Sequence, residues 1–224
     1  MTMSRRLFFI TSALAAAAMA GTRALAQTLG GGMADYGSMT LRDALAKRES
    51  IRTYSQTPIE DAQLLALLWA ANGINRPDVG GRTAPSWRTA LDTEIYVARA
   101  SGIDRFDAAN RSLIPVSSED VRKTLSPQPF VGTAPVVLIY VSELSKLLAA
   151  ANLDPAALDL VTEDHRIAAH VNAAVVSQNA YLFCAAEGLG TCLVGGADRA
   201  AAANALSLGE GQIVTYVQPV GHPA

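Results

Sequence analysis

A long and almost wholly apolar helix most constrains what this chain can fold into. Residues 162–187 are expected to form one helix that ends at Gly188, and its middle, residues 173–186, is apolar almost all round. A helix without a polar face must be buried in a core or at a subunit interface. Residues 136–141 are continuously apolar and β-branched, which is typical of a central strand covered on both faces. The two segments predict a single domain of mixed helix and sheet.

Shorter segments complete the predicted domain. Thr40 and Asp43 mark the start of a helix that runs to about Lys47, and a second helix follows Pro58 and stops at residues 72–73. The loop that follows, up to residue 85, is long enough to suggest a functional role. The other predicted elements are a strand at 94–98 with a hairpin partner at 103–106, a short helix near 118, a strand at 191–194, a helix from 198 and a strand at 212–218.

Residues 1–26 have the features of an export leader. Arg5 and Arg6 form a twin-arginine signature, and an alanine-rich apolar run follows at 7–20. The three residues before Gln27 give a small-x-small cleavage site. The apolar run is short for a membrane span, although an uncleaved anchor is the alternative interpretation. We therefore expect a twin-arginine signal peptide, a periplasmic or otherwise exported protein, and no stable membrane insertion after cleavage.

Composition limits the remaining classes of function. The formal net charge is −2 and no run rich in Lys or Arg occurs, which argues against a nucleic-acid partner. After the leader, residues 27–37 are rich in glycine and predict a flexible linker, so that residues 38–224 would form the folded domain.

The cysteines and histidines do not form an obvious reactive cluster. Cys184 and Cys192 have apolar neighbours and are predicted to be buried thiols, with a disulfide as the alternative. His165 and His170 are five residues apart, so they do not stack as metal ligands on one helix face. We expect His165 to be exposed and His222 to have an ordinary surface role, with a position near a phosphate as the alternative, whereas His170 has no assigned role.

Three polar side chains alternate just before the turn at residues 56–58. Arg48, Ser50 and Arg52 would share one face of an extended segment, because side chains two apart point the same way. Two guanidinium groups and a hydroxyl on one face suit a phosphate or another anion. A solvated basic patch is the alternative for this segment alone.

Five short segments, in this order, resemble the nitroreductase family of flavoproteins. The similar segments are 48–54 (RESIRTY), 67–77 (LLWAANGINRP), 82–86 (RTAPS), 178–182 (QNAYL) and 187–192 (EGLGTC). The second segment is similar to one branch of the family, which includes the thiazoline- and oxazoline-oxidising dehydrogenases. The resemblance extends over roughly residues 40 to 222.

This resemblance implies an α+β fold with a central mixed, mainly antiparallel sheet flanked by helices. It also implies an intertwined homodimer that holds one flavin mononucleotide (FMN) per active site at the subunit interface. By resemblance, Arg48 and Ser50 would bind the phosphate and ribityl chain, and Arg52 would lie nearer the ring.

Two further segments are implied to contact the flavin. Pro85 and Ser86 would come from the partner subunit and cover the ring, while Leu193, Gly195 and Gly196 would pass behind it with a backbone N–H near N5. The alternatives are an ordinary loop for the first pair and a simple turn for the glycines.

The chain departs from the family pattern in two places. Residues 87–92 (WRTALD) stand where many relatives carry an asparagine and a glutamine, so Trp87 or Arg88 could shape a substrate pocket, with simple packing as an equal interpretation of Trp87. No Lys or Arg follows Arg199, whereas many relatives carry basic residues there that reach the phosphate. Phosphate binding is therefore expected to depend on Arg48.

The function implied by the resemblance is ping-pong hydride transfer from NAD(P)H or another small-molecule donor to nitroaromatic or quinone-like acceptors. The flavin would carry the chemistry, so no side-chain acid, base or metal is expected to be required. One alternative is a flavin-dependent dehydrogenase that oxidises an organic substrate and passes electrons to oxygen or a quinone. Another is a flavin-binding protein without turnover.

Overall fold

The computed structural model describes residue 36 and residues 38–224. The predicted leader and nearly all of the predicted linker lie outside the described residues. The helices are α1 (Leu41–Lys47), α2 (Asp61–Asn72), α3 (Pro129–Thr133), α4 (Leu144–Ala150), α5 (Glu163–Glu187) and α6 (Arg199–Ala205). The strands are β1 (Ile74–Arg76), β2 (Gly81–Arg82), β3 (Thr93–Arg99), β4 (Gly102–Asp107), β5 (Ser112–Ser117), β6 (Val136–Glu143), β7 (Gly190–Thr191) and β8 (Gln212–Gly221).

A six-stranded sheet forms the centre of the fold. Its strand order is β5-β4-β3-β6-β8-β7, and every neighbouring pair in it is antiparallel. β6 lies between β3 and β8, and its residues 136–142 are all buried, which confirms the predicted central strand. Helices flank the sheet, so the predicted α+β class with a mainly antiparallel sheet is confirmed.

The long helix α5 is the main packing partner of the sheet and of α2. Its middle buries Ala173, Val176 and Ala180 in one cluster with side chains of α2 and β6. The helix ends at Gly188, whose φ of 69° is the left-handed conformation that favours glycine at this position. The first half of α5 is different, because Ile167 and Val171 are more than half exposed.

One prediction about local structure was wrong, and two elements were not predicted. The helix expected near Ser118 is absent from this part of the described chain, which forms only a short 3-10 turn at Arg122–Thr124. Strand β5 was missed because its residues are mostly exposed and Pro115 interrupts the expected alternation. Helix α4 begins directly where β6 ends, with no loop between them, and it was not predicted.

Two further observations concern the predicted linker and the possibility of a membrane span. Tyr36, the one described residue of the predicted linker, packs its ring 6.3 Å from that of Phe183 on α5. Among the described residues, no helix combines the length and apolar character needed to cross a bilayer.

Candidate active site

The segment that contains the predicted anion-binding residues is fixed at one edge of the sheet. The Ile51 N–H donates to the Thr191 carbonyl at 3.0 Å, and the Ser55 N–H donates to the His222 carbonyl at 2.8 Å. Ile51 turns inward against Gly190, where a Cβ would approach the Ile51 side chain to 2.7 Å. Only glycine therefore leaves room for Ile51 at this crossing, which ties the segment to β7.

Tyr181 on α5 connects this segment to the loop after β7. Its hydroxyl lies 3.0 Å from Ser50 Oγ and accepts the Leu193 N–H at 2.7 Å. The Arg48 guanidinium lies 5.5 Å from the centre of the Tyr181 ring, within cation–π distance. One phenol therefore positions both predicted flavin-binding segments. The sequence analysis included Tyr181 in a similar segment but assigned it no role.

The cations at this edge differ from the three arginines of the described chain that are neutralised by a carboxylate. Arg99, Arg105 and Arg122 each bridge to a carboxylate. Arg48 and Arg52 form no ion pair with any described residue, and the one hydrogen bond of the Arg52 guanidinium runs to the Ser50 carbonyl at 3.3 Å. Two uncompensated positive charges beside a hydroxyl fit an anionic group such as a phosphate.

The loop after β7 leaves space on the same side of the sheet. Val194 is held by its N–H, which donates to the Val217 carbonyl at 2.8 Å, and the Leu193 N–H is taken by Tyr181. Gly195 and Gly196 are exposed, and a Cβ on Gly195 would meet no atom within 4 Å. Among the three residues predicted to pass behind the flavin, the Leu193 N–H is already bonded, whereas Gly195 and Gly196 are exposed.

Pro85 and Ser86 lie on a different side of α5. Their loop is attached to α5 through the Trp87 N–H, which donates to Asn172 Oδ1 at 2.8 Å. Asn172 and Tyr181 are nine residues apart, which is about half a turn around the helix and roughly 13 Å along it. One chain therefore does not bring Pro85 and Ser86 together with Arg48 and Ser50.

A buried polar network holds the loop of Pro85 and Ser86. Asp92 is fully buried; its two carboxylate oxygens accept from Asn172 Nδ2 at 2.6 Å and from Ser142 Oγ at 2.5 Å. Burial raises the pKa of the Asp92 carboxyl, whereas these hydrogen bonds act in the opposite direction. One sequence signal of this network was overlooked, namely the polar Asn172 directly before the apolar middle of α5.

The prediction that His165 is exposed was wrong. His165 is buried: its Nδ1 accepts the Thr162 N–H at 3.0 Å, which completes a capping box at the start of α5. Its ring also meets the Trp87 ring edge-on at 5.8 Å. The predicted buried thiols are confirmed, because Cys184 and Cys192 are both buried and free.

Comparisons with known proteins identify the family. The model of the nitroreductase family matches residues 45–222. A nitroreductase-type protein of Methanocaldococcus jannaschii is 30% identical over 171 residues, which cover 72% of this chain and 81% of that protein.

Solved structures agree with this match. A nitroreductase-type structure from Ralstonia eutropha JMP134 superposes with a TM-score of 0.75 and 32% identity, and the match covers 84% of this chain and 85% of that chain. The fold is also similar to that of B. megaterium NfrA2, with a TM-score of 0.61 at 18% identity over 83% of this chain and 68% of that one. The chain therefore belongs to the nitroreductase family of oxidoreductases.

Proposed function

We propose that this protein is an FMN-dependent oxidoreductase that passes a hydride from NAD(P)H or another donor to nitroaromatic or quinone-like acceptors. One observation carries the proposal. Arg48 and Arg52 form no ion pair with a described residue, and they lie beside Ser50 at the edge of the sheet. Members of this family typically use a flavin. The open side of Gly195, where a Cβ would meet no atom within 4 Å, supplies space for a flat cofactor.

Each residue of this edge has a role in the proposal. Arg48 and Ser50 would bind the phosphate and the ribityl chain, with Tyr181 fixing the position of both side chains. Arg52 would lie nearer the ring and stabilise negative charge there. Glycine N–H groups of the loop after β7 would bind the ring edge, and Leu193 would contact its rear face.

FMN, when bound, supplies the hydride chemistry itself. The protein's part is to orient the cofactor and the substrate and to exclude water. Donor and acceptor would occupy the same place in turn, so we expect ping-pong kinetics. Protons can come from solvent, and within the described chain no cluster of His, Cys, Asp or Glu could hold a metal ion.

A homodimer would complete this site. Pro85 and Ser86 are attached to α5 at Asn172, on the opposite face of the helix from Tyr181 and roughly 13 Å along it, so they cannot cover the cofactor of their own chain. The exposed apolar side chains of Ile167 and Val171, near the start of α5, form a surface that a second copy would bury. Pro85 and Ser86 would then cover the flavin of the partner subunit.

A second function is favoured by two sequence features. The twin-arginine leader, which lies outside the described residues, implies export to a compartment where nicotinamide nucleotides are scarce. Residues 67–77 resemble the azoline-oxidising branch of the family. Both features suit a dehydrogenase that oxidises an organic substrate and transfers electrons to oxygen or a quinone.

The deciding experiment is the visible spectrum of the mature protein as purified, followed by titration with FMN and then with NADPH without oxygen. Absence of flavin absorbance, together with no binding of added FMN, would refute the proposed function. Rapid bleaching by NADPH supports the reductase, and slow bleaching supports the dehydrogenase. Bound FMN without turnover across several donors and acceptors would indicate a non-catalytic protein.

A further inference from the structure

The loop between Ser86 and Asp92 has an unusual backbone. Arg88, Thr89 and Leu91 have φ angles of 48°, 58° and 50°, all in the left-handed region. This region is rare for residues other than glycine, and more so for a β-branched threonine. Each such residue costs about 1 kcal/mol or more, so the surrounding structure must impose the conformation.

Hydrogen bonds to partly buried and buried groups impose it. Within the loop, the Leu91 N–H donates to Ser86 Oγ at 2.9 Å. Outside it, the Trp87 N–H donates to Asn172 Oδ1, and Asn172 is held in turn by the buried Asp92. The loop is therefore attached to Asn172 and Asp92, which have almost no contact with solvent.

The conformation presents one cation to solvent. Arg88 is exposed, and its guanidinium lies 5.0 Å from the centre of the Trp87 ring. The Trp87 ring in turn packs edge-on against the ring of the buried His165, which holds Trp87 in place. Arg88 forms no ion pair with any described residue, and its charge is free to meet an anion.

Arg111 provides an instructive comparison. It too has a positive φ, of 50°, and its guanidinium lies 5.9 Å from the ring of Trp69. However, Arg111 lies in the short turn between β4 and β5, where hairpin geometry accounts for a left-handed residue. Arg88 is in no hairpin, so strand pairing does not explain its conformation.

We propose that Arg88, supported on Trp87, recognises the carboxylate of a small anionic substrate. A guanidinium binds a carboxylate through two parallel hydrogen bonds, and a rigid support lowers the entropy lost on binding. This inference rests on the proposed function, because the substrate would lie over the flavin that the loop covers. Asn172 and Asp92 act through the loop as positioning residues.

The test uses the FMN-loaded protein and two probes of the same shape, benzoate and benzamide, which differ in charge. FMN binding is measured first, and the affinity of each probe is then measured by calorimetry. We expect the wild type to bind benzoate about tenfold or more tightly than benzamide. Arg88→Gln should abolish this preference with FMN affinity unchanged, and Arg88→Lys should retain part of it.

Arg111→Gln is the matched control, since it removes a charge of the same kind from another tryptophan and should leave the preference intact. An unchanged benzoate preference in Arg88→Gln, or no preference in the wild type, would overturn the inference while the proposed function stands. Loss of FMN from Arg88→Gln would also overturn it, because Arg88 would then serve the cofactor. A wild type that binds no FMN would overturn both.

Discussion

The Leu193 N–H donates to the hydroxyl of Tyr181 at 2.7 Å, so a side chain of the long helix α5 holds the loop after β7. The same hydroxyl lies 3.0 Å from Ser50 Oγ. The phenol has one proton and two lone pairs, so it can accept from Leu193 and share a hydrogen bond with Ser50 at once. Two segments far apart in sequence therefore have a common support.

Removal of this hydroxyl should weaken cofactor binding. Tyr181→Phe leaves the Leu193 N–H without its partner, so we expect a loss of about 1 kcal/mol in the free energy of unfolding. FMN affinity should fall about tenfold, because both segments lose their fixed position. Flavin fluorescence quenching and thermal denaturation measure the two effects. Tyr96→Phe is the control, since the Tyr96 hydroxyl has no hydrogen bond to a described residue, and an equal loss of FMN affinity there would contradict the prediction.

Arg48 should be essential for the cofactor and dispensable for the fold. Its guanidinium stacks on Tyr181 and has no carboxylate partner among the described residues. We expect Arg48→Ala to keep its thermal stability but to lose at least about tenfold in FMN affinity. Occupancy is measured from the visible spectrum of the purified protein. Arg42→Ala removes an exposed charge from α1 and should retain FMN; full occupancy in Arg48→Ala would refute the assignment.

Asp92 should make stability fall as pH rises. Burial raises the pKa of this carboxyl in the folded state, so the folded protein holds the proton more tightly than the unfolded chain does. The folded state therefore loses stability as pH increases from the unfolded pKa, about 4, towards the raised folded value. Asp92→Asn keeps an acceptor for Asn172 and can donate to Ser142.

The measurement for Asp92 is chemical denaturation of both proteins at a series of pH values. Asp92→Asn should gain stability relative to the wild type across that window, because it carries no ionisable group at this position. A difference between the two proteins that stays constant with pH, or changes in the opposite direction, would show that the hydrogen bonds outweigh burial.

The exposed apolar part of α5 should be required for the dimer and therefore for the cofactor. Ile167 is 51% exposed, and a charge placed there would have to be buried in the proposed interface. We expect Ile167→Asp to sediment as a monomer and to lose FMN, whereas Ile114→Asp, on the outermost strand β5, should do neither. A dimeric Ile167→Asp with full FMN would place the interface elsewhere.

Much of the fold follows from local pattern. The run at 136–141 forms the central strand β6, because a strand buried on both faces has a continuously apolar sequence. Helix α5 ends at Gly188 as predicted, because the left-handed conformation at a helix end favours glycine. Strand β5 and helix α4 have no comparable sequence pattern. One is half exposed and interrupted by Pro115, and the other begins directly where β6 ends, with no loop residues to separate the two elements.

The sequence by itself determined the residue types of the candidate site, namely two arginines and a serine at alternating positions and a pair of glycines. Only the tertiary structure decided how they are held. Tyr181 meets Ser50 across 131 positions of sequence, and Asn172 meets Trp87 across 85. Contacts of this kind depend on which face of α5 each side chain occupies once the helix is packed on the sheet. Such contacts produce no periodic pattern in the sequence, because each is made by a single residue.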